Sequence, residues 1–206
     1  MIVTPLVAAA ASRLAELVRE HSQMATDEPD EAALSGVEGH VVIVGFGRFG
    51  RTIGLVLDAE HAPYVALDVD PANVAAARAQ KLPVFFGDAS RLEMLNRVHV
   101  ESAAALVVTL DDAQKTDHIV RLVRARWPDL SIHVRARHRE HAAQLLALGT
   151  DHVVPETLEA SLQLAGRLLH SLGASDDVVR QRLEVQRDLE VAALRPKALP
   201  HGARAN

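Results

Sequence analysis

HVVIVGFGRFGRTIGLVLDA, residues 40–59, is the stretch from which the architecture follows. HVVIV (40–44) is dominated by β-branched residues without polar alternation, the pattern of a strand covered on both faces. Gly45-Phe46-Gly47-Arg48-Phe49-Gly50 follows, and Ile53, Val56 and Leu57 then set a helical period. Strand, glycine turn and helix, in that order, make a mononucleotide-binding unit. Gly45 allows the tight turn. Gly47, with no side chain, lets a pyrophosphate reach the backbone N–H groups at the helix N-terminus, where the dipole favours anions. Gly50 lets the helix pack close to the sheet. YVALD (64–68) reads as the second strand and places Asp68 at its carboxyl tip, 23 residues after Gly45. A carboxylate there accepts hydrogen bonds from ribose hydroxyls and repels a 2′-phosphate, so NAD(H) is expected and NADP is not.

The alternation continues outward from this unit. Pro71 opens a second helix at its first position. PVFF (83–86) reads as the third strand, Ser90–Arg97 as a short helix and AALVVTL (104–110) as the fourth strand. A longer helix carries Ile119, Leu122, Val123 and Trp127 on one face and stops at Pro128. LSIHVRA (130–136), a helix over 139–148 and DHVVP (151–155) complete the series. Six strands joined by crossovers too long for hairpins, each read as continuously apolar, predict an α/β fold. It is a Rossmann-like, doubly wound parallel six-stranded sheet followed by C-terminal helices. The chain then divides into a short N-terminal helix (1–22), an acidic linker (23–38), the nucleotide-binding domain (39–155), two helices (156–193) and a disordered tail (194–206).

Composition narrows the function. Lys+Arg is 22 against Asp+Glu 27, and a net charge of −5 disfavours nucleic acid as a partner. There is no cysteine, which excludes disulfides, thiolate metal sites and cysteine nucleophiles. No run of about 20 apolar residues spans a bilayer, since the stretch from Met1 is broken at Arg13 and Glu16. A dehydrogenase needs a second domain or long loops to hold substrate and an acid/base group. After the sixth strand only about 50 residues remain, in two helices, and no catalytic pair is visible, so no enzyme activity is expected. A small NAD-dependent oxidoreductase is the alternative from another class.

Other candidates carry two readings each. Asp88, just past the third strand, suits either an adenine amino group or a helix cap. Thr109, Asp111 and Asp112 end the fourth strand and suit helix capping. Arg135, Arg137 and Arg139 recur at period two and place cations at the mouth of the cleft or simply in solvent. His138 and His141 sit three apart, a spacing that suits a surface face better than a metal site. Leu158, Leu162, Leu164, Leu168, Leu169 and Leu172 make an apolar stripe wider than one sheet face needs, which predicts a homodimer through the C-terminal helices.

These residues together resemble the RCK/KTN (TrkA-N) regulatory domain of Kef-type potassium/proton antiporters. The resemblance rests on VVIVGFGRFGR (41–51), ALDVDP (66–71), VFFGDASR (84–91), LDDAQ (110–114), VRARHREH (134–141) and GRLLHSLG (166–173), and spans about residues 38–190. It implies a cytoplasmic dimer at the inner membrane that binds AMP or NAD(H) and gates a cation pathway, with a transmembrane antiporter domain in the same full-length chain. A stand-alone regulatory subunit of a potassium uptake system is the second form it allows. By position, Gly45, Gly47, Arg48 and Gly50 would hold phosphates, with Phe49 counted in the same cofactor-binding turn. Asp68 would hold the ribose, and Asp88 with Ala89 the adenine; Thr109 closes the set. MIVTPL (1–6) resembles the end of the last transmembrane helix of such transporters. Glutathione-gated members read R-A-R-D and R-F-N, where this chain has Arg135-Ala136-Arg137-His138 and Asp188-Leu189-Glu190. The resemblance therefore does not carry glutathione gating over.

Overall fold

A computed structural model describes residues 38–194; the expectations for 1–37 and for the tail from 195 lie outside the described residues. Six strands run β1 (Val41–Val44), β2 (Tyr64–Asp68), β3 (Val84–Phe86), β4 (Ala105–Val108), β5 (Ser131–Ala136) and β6 (His152–Pro155). They form one sheet in the order β3-β2-β1-β4-β5-β6. The β1–β2, β1–β4, β2–β3 and β5–β6 pairs are parallel. Between them lie α1 (Arg48–Ala59), α2 (Pro71–Arg78), α3 (Leu92–Arg97), α4 (Ala113–Arg126) and α5 (Arg139–Ala147). Two further helices, α6 (Glu156–Ser171) and α7 (Asp176–Ala192), follow β6. This is the doubly wound order, and its switch point falls between β1 and β4, from which the chain winds off in opposite directions. Among the described residues no helix is long and apolar enough to cross a membrane.

The described residues fall into two compact units. The first runs to Thr109 and includes Trp127–Leu130. Its core joins Ile43, Phe46, Tyr64, Ala66, Val74, Ala77 and Val84, with Ile53 and Leu57 of α1 packed against them. All five residues of β2 are buried, as its continuous apolar run requires. Asp70 caps α2, its carboxylate accepting from the Ala72 N–H at 2.9 Å, and Pro71 takes the first helical position.

The second unit holds Leu110–Arg126 and the described residues from Ser131 onward. Here one expectation is corrected. β5 is not covered on both faces: Ile132, Val134 and Ala136 are buried, whereas Ser131, His133 and Arg135 are only half-buried. The polar residues occupy alternate positions, and period two sends them all to one face. α6 and α7 pack as a hairpin over Leu162 and Val179. A Cβ on Gly166 would stand 3.0 Å from Leu183, so the glycine sets how closely the two helices approach. Across them the Arg187 guanidinium donates to both oxygens of Glu159 at 2.8 and 2.9 Å. That bidentate contact holds the Glu159 carboxyl below its ordinary value.

Candidate functional site

The candidate residues all belong to the first unit, at the carboxyl edge of the four adjacent strands β3-β2-β1-β4. Open α/β sheets bind ligands at this edge. Its centre is the turn from β1 into α1, where three glycines do three different things. Gly45 has φ +90°, a left-handed backbone that side chains disfavour. Gly50 is wedged: a Cβ there would lie 1.9 Å from the Gly45 carbonyl oxygen. Gly47 is demanded by neither condition. Its φ is −70°, and a Cβ placed on it meets nothing within 4 Å. The protein alone gives no reason for glycine at 47, and the space before it suits a group that approaches the backbone closely.

The start of α1 favours an anion. No side chain caps it, and its first turn holds no acidic residue. α2 is capped by Asp70, and α6 and α7 each carry two acids in the first turn. The first N–H groups of α1 therefore keep their partial positive charge for an outside partner. Arg48, the first helical residue, is exposed, and its guanidinium has no ion-pair partner among the described residues. Phe49 lies beside it, 37% exposed, whereas Phe46 turns inward and stacks on Tyr64 with ring centroids 6.3 Å apart. Burial comes first, with Asp58 beside it, in pushing the Tyr64 hydroxyl up to about 12, so it takes no part in proton transfer near neutral pH.

Asp68 organises this turn. Its Oδ2 accepts from the Phe46 N–H at 2.5 Å and from Asn73 Nδ2 at 3.2 Å; its Oδ1 accepts from the Asp70 N–H at 2.8 Å. A carboxylate offers about four acceptor sites, so Oδ1 keeps one that these bonds do not use. Thr109 braces the turn from the β4 side, its hydroxyl donating to the Gly45 carbonyl at 2.8 Å. Asp112 caps α4, accepting from the Gln114 and Lys115 N–H groups. Asp88 closes the turn after β3, accepting from the Ser90 N–H at 3.0 Å, which delays α3 to Leu92 rather than Ser90. Ala89 is 3% exposed and can offer a ligand only its backbone.

The remaining sequence candidates belong to the second unit. Arg135 pairs with Asp111 at 2.8 Å and Glu156 at 2.5 Å, Arg137 with Asp111, and Arg139 with Glu190. These cations are held by acids of their own unit. Burial presses the Arg135 value down, but the two acids outweigh it and raise it. His141 bonds the buried Asp117 carboxylate at 3.1 Å, a link between α4 and α5. No group of three or more His, Cys, Asp or Glu suited to a metal occurs among the described residues. Asn73 escaped the sequence reading. Its signal was the Asp70 cap, which fixes the start of α2 and returns the third helical residue toward Asp68.

Asp68→Asn probes this arrangement. One oxygen becomes an amide that cannot accept, so one N–H of the turn loses its partner at a cost of about 1–3 kcal/mol. The expected result is a fall in melting temperature of a few degrees with weakened nucleotide binding, read by circular dichroism and calorimetry. An unchanged melting temperature would show that the carboxylate does not hold the turn.

Comparison with known proteins adds a family. The TrkA-N domain family matches residues 41–156. K(+) efflux antiporter 2, chloroplastic, of Arabidopsis thaliana is 37% identical over 82% of this chain and 14% of its own length. The glutathione-regulated potassium-efflux system protein KefC of Escherichia coli O139:H28 is 31% identical over 97% of this chain and 31% of its own length. The chain thus spans less than a third of either relative. Among solved structures, the Shewanella denitrificans Kef CTD in AMP-bound form is 32% identical, with a TM-score of 0.66, over 76% of this chain and 95% of that one.

Proposed function

We propose, from the premise that this chain belongs to the TrkA-N domain family, that it is the nucleotide-binding regulatory domain of a potassium/proton antiporter. The domain sits on the cytoplasmic side of the membrane, and the transport residues lie in a membrane part of the same longer protein. The observation that carries this is the uncapped, acid-free start of α1 beneath an unfilled space at Gly47. Together with Arg48 it suits a phosphate, and with Asp68 it suits an adenine nucleotide, AMP or NAD(H). AMP is the group held by the solved Kef relative. Gly45, Gly47, Arg48, Phe49 and Gly50 surround the phosphates. Asp68 takes the ribose, Asp88 and Ala89 lie beside the base, and Thr109 fixes the turn from behind. No residue here is asked to do chemistry: the site holds a ligand and reports its presence.

A ligand shifts a gate only by its difference in affinity for the two gate states. In the full-length transporter Asp68→Ala is expected to change the nucleotide dependence of cation flux without abolishing flux, measured in vesicles with and without AMP or NADH. An unchanged nucleotide response would reduce the cleft to a structural feature. Ligand choice has its own test. At 100 times the dissociation constant a ligand adds about 2.7 kcal/mol, or roughly 5–10 °C in a domain of this size. AMP and NAD(H) should give that shift and NADPH should not, because Asp68 faces the 2′ position. Equal stabilisation by NADPH would remove the argument from Asp68.

Assembly follows from α6. Leu164, Leu168 and Leu172 recur every four residues and are 71%, 58% and 74% exposed, while Leu162 is buried within the unit. Leu189 of α7 is also exposed. A stripe this apolar supports a symmetric homodimer through the C-terminal helices. Sedimentation at tens of micromolar should show a dimer that Leu168→Asp converts to monomer; a wild-type monomer would contradict it.

A further inference from the structure

The half-exposed face of β5 carries a feature that nucleotide binding does not use. His133 on β5 and His152 on β6 are direct partners in the parallel register. Their rings stack with centroids 4.6 Å apart and planes 23° apart. His133 is half-buried and His152 exposed, at the edge strand of the sheet. Ser131 Oγ lies 3.2 Å from His133 Nε2. The carboxylate that acts on His133 is Asp151, which also feels His152. It is already occupied, bonded by Arg124 of α4 at 2.8 Å and by the Ile132 N–H at 2.8 Å. α5 packs on β5 and β6, and α6 on β6, and no charge from either helix is among the causes that move His133.

We propose that the His133–His152 stack is a proton sensor: it tolerates one proton with the rings in contact, and a second proton loosens β6 from β5. Two imidazolium rings at this separation repel each other, and the half-buried ring cannot turn that charge fully to water. Burial first, then His152, outweigh the opposing Asp151 and hold His133 below its ordinary value. A histidine lowered on folding binds its proton more weakly than the unfolded chain does. The stability it contributes is therefore present above about pH 6.5 and lost as the pH falls through that value. β6 runs straight into α6 at Pro155–Glu156, so loosening it releases the start of α6. The consequence for assembly rests on the dimer proposed above; the proton-sensing claim does not.

The test is a ring-resolved NMR titration of the 206-residue chain from pH 8 to 5, with hydrogen exchange at Val153. The pair is expected to titrate in separate macroscopic steps rather than as two independent groups. Protection at Val153, corrected for intrinsic rates, should fall several-fold between pH 7.5 and 5.5. His152→Phe keeps a stacked ring without its charge; His133 should then titrate in one step at higher pH, with a smaller acid-induced loss of protection, since its burial remains. Overlapping independent titrations in the wild type would overturn the proposal, as would an acid-induced loss of protection undiminished in His152→Phe. Sedimentation at both pH values separates the assembly claim: acid-sensitive exchange without a change in association would contradict the dimer link alone.

Discussion

Gly47→Val is expected to weaken AMP binding on the order of 100-fold or more while leaving a folded domain. Both halves come from the same geometry. Backbone at 47 has φ −70°, which valine adopts, and nothing stands within 4 Å of its Cβ. The fold is therefore indifferent, apart from about 1 kcal/mol for a poor residue at a helix N-cap. The ligand is not indifferent. A branched side chain there fills the space through which phosphate reaches the N–H groups of α1, and charge-assisted hydrogen bonds of that kind contribute about 1.5–3 kcal/mol each. Losing two of them accounts for the expected factor. Calorimetry with AMP beside thermal melting separates the two effects. Near wild-type affinity in a folded Gly47→Val would mean that the cleft has been placed wrongly.

Gly50→Ala is expected to do the reverse and cost the fold about 3 kcal/mol or more. The added Cβ would sit 1.9 Å from the Gly45 carbonyl oxygen and 3.2 Å from Thr109 Oγ1. The first is backbone, and that carbonyl is held in place by the Thr109 hydroxyl. Relief requires α1 to shift or the turn to open, beyond the usual cost of an added methyl in a packed region. At roughly 2–4 °C per kcal/mol, the melting temperature should fall by about 6–12 °C. A variant within two degrees of wild type would show that the turn yields easily. Gly47→Ala is the internal control, since it adds the same methyl into open space.

The element series was legible in the sequence because each strand is bounded by a glycine, proline or aspartate turn, and each helix shows its own period. Asp68 and the glycine turn could be read as a site because their spacing is local. Three things could not be read. The close packing of α1 assigned to Gly50 is shared by Gly54, whose Cβ would meet the Phe46 ring at 2.9 Å; this pairing depends on which way Phe46 turns. The brace that Thr109 gives the glycine turn could not be read because the carbonyl it bonds lies 64 residues away. Arg135, Arg137 and Arg139 looked free to serve a ligand because Asp111, Glu156 and Glu190 reach them only after the chain has folded.

An adenine nucleotide is expected to sit on the start of α1. The most direct measurement is a titration of the ¹⁵N-labelled chain with AMP, followed through its backbone amide resonances. Saturable shifts are expected at Gly45, Gly47, Arg48, Phe49 and Gly50, with Asp68 and the turn after β3 moving in step, and the Gly47 and Arg48 amides most affected. No saturable change, or shifts confined to α6 and α7 while the glycine turn stays still, would contradict the account.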